Sequence, residues 1–182
     1  MAHRRPSYFR FSSVSEESPI NWFDSRILMI QQSCVSCRTV RGEIHPPGGI
    51  LYENERWMMF LRSRPPLVAG QGFIVLKRHC ENVAELTTDE QALLGVIMTK
   101  TAQAMMAVLK PEKMHFGLHA ERVKHIHMHI TPRTAELPAG NIPLVWLSSW
   151  YGLVERLKLR QPISDATVAA VAEGLRGAFR EI

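Results

Sequence analysis

Short apolar runs bounded by turn residues dominate the first half of the chain. Runs at 49–53, 57–61 and 72–76 have the length and the aromatic or β-branched content of strands. The PPGG sequence at 46–49 predicts a turn, and the three residues NER between the first two runs predict a hairpin. This part of the chain is therefore expected to form antiparallel strands.

A long helix is predicted after these strands. Thr87 and Glu90 have the spacing of a capping box, and Pro111 ends the pattern. Apolar residues recur between them at helical spacing, and the methionines among them are expected to fill the core. They are Leu93, Leu94, Ile97, Met98, Ala102, Met105, Met106 and Leu109.

The second half predicts two more strands, at 114–118 and 124–131, and a terminal helix that begins after Ser164. The mixture indicates an α+β domain with antiparallel strands and one long helix between them. We divide the chain into an N-terminal extension (1–33), a central domain (34–135) and a C-terminal segment (136–182) that packs on the same domain.

Composition narrows the class of protein. The 182 residues are 46% hydrophobic and 21% charged, as in one soluble globular domain. Without a run of eighteen apolar residues or a secretory h-region, we expect a cytoplasmic protein with no membrane span. The net charge of +5 suits a nucleotide or nucleic acid partner, although many soluble proteins are mildly basic.

Three histidines occupy every second position of VKHIHMHITPR: His125, His127 and His129. On a strand they would share one face, while Ile126 and Met128 would pack on the core. Imidazole can act as a metal ligand, a nucleophile or a proton carrier near neutral pH. Same-face neighbours lie about 6.5–7 Å apart, too far for all three to bind one ion easily, so a division of labour is favoured.

The chain contains three cysteines. Cys34 and Cys37 form a C-x-x-C, which in a chain without a secretion signal favours metal or redox use over a disulfide. Cys80 stands apart and is expected to be a small buried residue.

The segment His125–Thr131 resembles the signature of the histidine triad family, His-φ-His-φ-His-φ-φ with φ apolar, except that Thr131 replaces the last apolar residue. Upstream blocks resemble the family in the same order, and the flanks are most similar to its fragile-histidine-triad and bacterial dinucleoside-polyphosphate hydrolase branches. These blocks are CVSCRTVRGEI, ILYENERWMMFLRSRPP and GQGFIVLKRHCENVAELTTDE.

The resemblance implies a sheet of about five antiparallel strands, a nucleotidyl hydrolase or transferase activity, and a homodimer. His127 would attack the α-phosphate of a nucleotide, and His129 would donate a hydrogen bond to the phosphate or leaving group. Some bacterial members hold structural zinc, and the matching ligands here would be Cys34, Cys37, His79 and His125. Two thiolates and two imidazoles would make a closed tetrahedral site.

Several positions depart from the family pattern. Ala120, Glu121 and Arg122 stand where the family carries Gly-Gln-Ser or Gly-Gln-Thr, whose small hydroxyl binds phosphate. Arg122 replaces the hydroxyl residue and is either a phosphate ligand or a solvated surface arginine. Arg62 stands at the position of the acidic residue that grips the ribose. Ser36 replaces an aromatic residue near the base, although Val35, Thr39 and Phe60 could still line a nucleoside pocket.

The resulting hypothesis is a hydrolase that cleaves a P–N or P–O bond of a nucleoside phosphoramidate or dinucleoside polyphosphate and releases AMP or another nucleoside monophosphate. The alternatives are a DNA 5′-adenylate deadenylase, with nucleic acid the less favoured partner, and a regulatory protein that binds nucleotides without catalysis. Trp146, Trp150 and Tyr151 form either an aromatic platform or ordinary packing.

Overall fold

A computed structural model describes residues 32–62, 66–119, 122–135, 137, 153, 157 and 163–182. The predicted N-terminal extension, apart from its last two residues, and the aromatic segment with Trp146, Trp150 and Tyr151 lie outside this part of the chain. So does Glu121. The domain boundaries therefore stay predictions.

The centre of the described fold is a five-stranded antiparallel sheet with the order β1-β2-β3-β5-β4. Alongside it lie α1 at Val35–Val40, α2 at Thr88–Leu109 and α3 at Asp165–Glu181, and a short 3-10 helix at Val83–Glu85 precedes α2. This confirms the predicted α+β class, the long helix and the terminal helix. The strands are β1 (Ile50–Glu53), β2 (Trp57–Leu61), β3 (Gly72–Leu76), β4 (Lys113–Leu118) and β5 (His127–Arg133).

The two faces of the sheet have different partners. One face packs on α2 and α3 and forms the main core, because alternate strand residues such as Trp57, Ile74 and Ile130 point to it and are fully buried. The opposite face forms a smaller apolar cluster around Met58, Phe60 and Val75. β2 is buried along its whole length because both faces are covered.

The predicted capping box begins α2. The side chain of Thr87 accepts a hydrogen bond from the backbone N–H of Glu90, and the Glu90 carboxylate accepts one from the backbone N–H of Thr87. Arg78 also forms two hydrogen bonds with the same carboxylate, at 2.6 and 2.8 Å. Trp57 donates its indole N–H to the Glu90 carbonyl, so the helix start is fixed to β2.

Helix α2 is long and apolar enough for a membrane span, with 22 residues and a mean hydropathy of 1.6. It packs on the sheet and on α3, and Ile97, Ala104 and Met105 are fully buried there. Packing accounts for the apolar residues on this face of α2, but only 22% of its apolar stretch is buried. Met106 departs from the predicted role of the methionines because 46% of its surface is exposed.

The predicted PPGG turn is present before β1, where the Gly49 N–H donates to the Pro46 carbonyl. Gly48 has a φ of +73°, and a Cβ there would collide with the Cβ of Ala172 on α3. Arg176 of α3 also donates to the Gly48 carbonyl. The glycine is required both by its conformation and by the close approach of the terminal helix.

The predicted strand 124–131 begins later than expected. Regular pairing of β5 with β3 starts at His127, opposite Val75. Before it, Ile126 donates to the Cys80 carbonyl and accepts from the Leu76 N–H. His125 therefore precedes the strand, and its ring is fully buried. The prediction that all three histidines lie on one strand is wrong for His125. It lies before β5, in a segment whose backbone hydrogen-bonds to Leu76 and to Cys80 after β3.

Replacing Glu90 by Gln is expected to lower the stability at pH 7 by about 1–3 kcal/mol. Hydrogen bonds from Arg78 are the main reason that the pKa of Glu90 is lowered to about 2. Such a carboxyl stabilises the fold above its unfolded pKa of about 4.3, and the contribution is lost as the pH falls toward 2.

Thermal melts of wild type and Glu90→Gln should therefore differ at pH 7 and converge between about pH 4.5 and 2.5. A difference in melting temperature that stays constant over this range would contradict the assigned role of the ion pair.

Candidate active site and zinc site

The site face of the sheet carries side chains in three rows across the strands. The first row is Met58, Val75 and His127, the second is Phe60, Phe73 and His129, and the third is Arg62, Gln71 and Thr131. Successive rows are about 6.5–7 Å apart because residues two apart on a strand share a face. His127 and His129 thus lie beside each other, with ring centroids 5.0 Å apart.

The tautomer of His127 follows from its surroundings. Its Nδ1 lies 2.8 Å from the backbone carbonyl oxygen of His125. A carbonyl can only accept, so Nδ1 carries the proton and donates. In the neutral ring, Nε2 then holds a free lone pair. The edge of the Phe73 ring packs against His127, with centroids 5.7 Å apart, and limits rotation of the imidazole.

His129 is half-buried between aromatic rings. Its ring centroid lies 5.0 Å from that of Phe73 and 5.4 Å from that of His119. Burial, followed by the charges of His127, His119 and Arg62, lowers the pKa of His129 to about 4. His129 is therefore neutral at physiological pH and can donate one ring N–H.

A pocket of about 240 Å³ opens beside His127. Its walls come from α1, the loop after it, and the site face of β2 and β3. Most of the lining is apolar, and the polar groups converge at a few points, as in small-molecule sites. The lining consists of Val35, Ser36, Thr39, Ile44, Pro46, Phe60, Arg62, Phe73, Val75, Val123 and His127.

Two guanidinium groups lie near this pocket. Arg62 is half-buried in the pocket wall, whereas Arg122 is exposed. Burial, and then the charge of Arg122, lowers the pKa of Arg62. No acidic side chain in the described part of the chain pairs with either group or lines the pocket. The site therefore has a positive potential that suits an anion.

A cluster of four potential metal ligands adjoins His127, because one of its members is His125, whose carbonyl accepts from His127. The ligand atoms of Cys34, Cys37, His79 and His125 all lie within 4.8 Å of one another. The Cys37 sulfur is 3.2 Å from Nδ1 of His79 and 3.3 Å from Nδ1 of His125. Tetrahedral zinc with bonds of about 2.0–2.3 Å separates its ligand atoms by about 3.3–3.8 Å. The spacing fits zinc.

The outer contacts of this zinc site also fit. Nε2 of His125 lies 2.7 Å from the Leu76 carbonyl, and Nε2 of His79 lies 3.3 Å from the Glu81 carboxylate. Both oxygens accept the Nε2 proton, so both rings turn an unprotonated Nδ1 toward the cysteines, as metal-bound histidines do. All four protein ligands are in place, which makes the site structural.

Burial determines the charge states of the ligands. Burial lowers the pKa of His125 to about 4, so its ring is in the neutral form that binds metal. Burial and the neighbouring Cys34 raise the pKa of Cys37 to about 12, so a thiolate there requires a compensating cation. Zinc supplies that charge.

The structure brings most of the predicted site residues together. Val35, Thr39, Phe60 and His127 line one pocket, and the four predicted zinc ligands form one cluster. Glu121 lies outside the described residues, and Arg122 does not line the pocket. Sequence reasoning missed Phe73 and Val75, although alternation along β3 already set them on the face opposite Ile74. It also missed Ile44, Pro46 and Val123, which no periodic pattern marks. Cys80 is buried outside the cluster, as predicted.

The family model for the C-terminal domain described as "Scavenger mRNA decapping enzyme C-term binding" matches residues 33–142. An uncharacterised HIT-like protein of Saccharolobus solfataricus is 31% identical over 110 residues, covering 58% of this chain and 77% of that protein. The chain belongs to the histidine triad family. This confirms the resemblance that the triad motif indicated.

Solved histidine triad structures have the same fold. A hypothetical histidine triad nucleotide-binding protein from Sulfolobus tokodaii has a TM-score of 0.61 and 16% identity, covering 81% of this chain and 93% of that one. A zinc-bound family member from Mycobacterium smegmatis has a TM-score of 0.60 and 20% identity, covering 83% and 96%. The cluster geometry of this chain agrees with the predicted structural zinc.

Removing one zinc ligand is expected to release the metal and destabilise the fold. Cys37→Ser should purify with much less than one zinc per chain, and its melting temperature should fall by about 10 °C, since losing a structural metal costs several kcal/mol. Elemental analysis and thermal melts measure both. Cys80→Ser, a buried cysteine outside the cluster, is the matched control and should keep its zinc. Full zinc content in Cys37→Ser would contradict the assignment.

Proposed function

We propose that this histidine triad protein hydrolyses a P–N or P–O bond at the α-phosphate of a nucleoside 5′-phosphoramidate or a dinucleoside polyphosphate. The product is AMP or another nucleoside monophosphate. The orientation of His127 carries the proposal. Its Nδ1 proton is held by the His125 carbonyl, so the free lone pair is on Nε2 beside an apolar pocket.

The chemistry takes two displacements. Nε2 of His127 attacks the α-phosphorus, the P–N or P–O bond to the leaving group breaks, and the leaving group takes up a proton from solvent, which the water of the second step returns. Water then attacks the phosphorus of the nucleotidyl-histidine, the bond to Nε2 breaks, and the nucleoside monophosphate leaves with neutral His127 regenerated. The net reaction consumes one water molecule.

Neighbouring groups support the charge on the phosphate. His129, neutral and 5.0 Å from His127 between ring centroids, donates its ring N–H to the phosphate or leaving group. Arg122 binds phosphate oxygens at the exposed edge of the site. We keep Glu121 as a proposed substrate-binding residue next to Arg122. Fixed donors of this kind stabilise the charge that develops in the transition state.

The apolar walls of the pocket hold the nucleoside. Val35 of α1 and Phe60 of β2 line this space together with Thr39, whose hydroxyl donates to the Val35 carbonyl. An apolar slot of this kind accepts a planar base without reading its hydrogen-bonding edge strongly. Adenine is the base we propose, and AMP is the corresponding product.

Replacing His127 by Asn is expected to remove the activity. Wild type should release AMP from adenosine 5′-phosphoramidate or from diadenosine polyphosphates, and His127→Asn should be slower by at least about a thousandfold because the nucleophile is lost. Release of AMP is followed by chromatography.

The matched control is His45→Asn, an exposed histidine that does not line the pocket. It should keep the wild-type rate. Absence of AMP from every substrate with wild type, or equal rates for wild type and His127→Asn, would overturn the enzymatic proposal. The second result would favour a nucleotide-binding protein without catalysis.

A homodimer is proposed through α2 and the edge strand β4. Exposed, uncharged residues form one stripe along α2, and 44% of Val96 and 46% of Met106 is accessible. Leu118 at the end of β4 is also exposed. Such a surface gains stability when a second copy covers it. The stripe consists of Ala92, Val96, Thr99, Gln103 and Met106.

Light scattering after gel filtration should give the mass of a dimer for wild type and of a monomer for Val96→Glu, because a buried unpaired carboxylate opposes association. Val83→Glu, at an exposed site on the 3-10 helix Val83–Glu85 between β3 and α2, should stay dimeric. A monomeric wild type would contradict the proposal.

The cytoplasm is the proposed location. Cys34, Cys37 and Cys80 are unpaired by disulfides, and a thiolate metal site is most stable in a reducing compartment.

A further inference from the structure

We propose that Arg62 forms a second anion subsite inside the pocket, and that the preferred substrate carries a phosphate on its ribose in addition to the reacting 5′-phosphate. The chemical class is a nucleotide phosphorylated at the 2′ or 3′ hydroxyl. This inference rests on the proposed hydrolysis at His127 and specifies its substrate.

The position of Arg62 follows from the sheet. Its backbone N–H donates to the Gln71 carbonyl at 2.8 Å, which continues the pairing of β2 with β3 by one step beyond Leu61. Arg62 thus shares the site face with Phe60, one row away, and its side chain lines the same pocket as His127. A guanidinium is held in the wall of an otherwise apolar cavity.

The charge of Arg62 is not balanced within the described chain. The side chain is half-buried, it has no hydrogen-bonding or ion-pair partner there, and the nearby cation Arg122 adds no compensating negative charge. Partly desolvating a cation without a partner is unfavourable. A phosphate bound in the pocket would remove this penalty, and the planar guanidinium would bind it through two parallel hydrogen bonds.

The location within the pocket indicates which part of the substrate carries this phosphate. In the proposed reaction the nucleoside stays bound in the pocket while the leaving group departs. Arg62 lines that pocket, whereas His129 and Arg122 lie outside its lining. Arg62 and His127 lie two rows apart on the site face, so an anion held by Arg62 belongs to the retained half of the substrate at a position other than the reacting 5′-phosphate. On a nucleoside, the hydroxyls that can carry a phosphate ester besides the 5′ position are those at 2′ and 3′.

The test compares adenosine 5′-phosphoramidate with its 2′-phosphate and 3′-phosphate derivatives. Wild type should hydrolyse at least one derivative with a kcat/KM about tenfold or more higher, the factor expected for a charge-assisted hydrogen-bonded pair. Arg62→Gln should reduce this ratio to about one, and Arg62→Asp should reverse it. Arg180→Gln, an exposed arginine on α3, is the matched control and should keep the wild-type ratio.

Calorimetric binding separates this inference from the proposed hydrolysis. Wild type should bind adenosine 2′,5′- or 3′,5′-bisphosphate about tenfold or more tightly than AMP, and Arg62→Gln should not. If wild type hydrolyses all three phosphoramidates equally, the hydrolase proposal stands and the ribose-phosphate subsite is wrong. If nothing is hydrolysed but the Arg62-dependent binding preference remains, the subsite stands and the hydrolase proposal fails.

Two further results would overturn the assignment. A preference for the bisphosphates that persists in Arg62→Gln would mean that another group binds the second phosphate. An Arg62-dependent preference for ADP over AMP, without a preference for the bisphosphates, would move the subsite from the ribose to the phosphate chain of the leaving side.

Discussion

The site depends on three hydrogen-bonding groups of one buried residue, His125. Its Nδ1 faces the two cysteines, its Nε2 donates to the Leu76 carbonyl, and its own carbonyl accepts the Nδ1 proton of His127. The same residue thus belongs to the zinc site and sets the tautomer of the histidine beside the pocket. A shift of His125 would move both.

This arrangement explains why a structural metal lies next to the pocket. α1 supplies Cys37 to the zinc site and Val35, Ser36 and Thr39 to the pocket. A helix of six residues has little stability of its own in water. Coordination of Cys34 and Cys37 to an ion that is also held by His79 and His125 attaches the helix to the sheet, and the pocket keeps its outer wall.

The two faces of the sheet have different roles, one in stability and one in the site. The face toward α2 and α3 carries large buried side chains such as Trp57 and Ile130, and it stabilises the fold through removal of apolar surface from water. The opposite face carries His127, His129 and the pocket. Because neighbouring strand residues point to opposite faces, the core residues Ile74 and Met128 fix where Phe73 and His129 can lie.

The residue pattern could predict much of the fold because its signals are local. Alternation, the PPGG turn, the capping box of Thr87 and Glu90 and the end of α2 near Pro111 all involve residues a few positions apart. The triad motif also identified the family. The exposed methionine Met106 shows the limit of prediction from local patterns, since helical spacing does not reveal which apolar residues the rest of the chain covers.

The sequence by itself determined the strands, the long helix and the set of residues able to perform phosphate chemistry or bind zinc. The tertiary structure decided which of those residues lie in the zinc site and which lie on the site face of the sheet. Cys34 and His125 are 91 positions apart, and they meet only when α1 lies against the segment before β5, which the pairing of β3 with β5 places. That pairing leaves His127 and His129 on the site face, and the pairing of β2 with β3 brings Arg62 into the pocket. Such contacts depend on packing between distant segments, which no local pattern encodes.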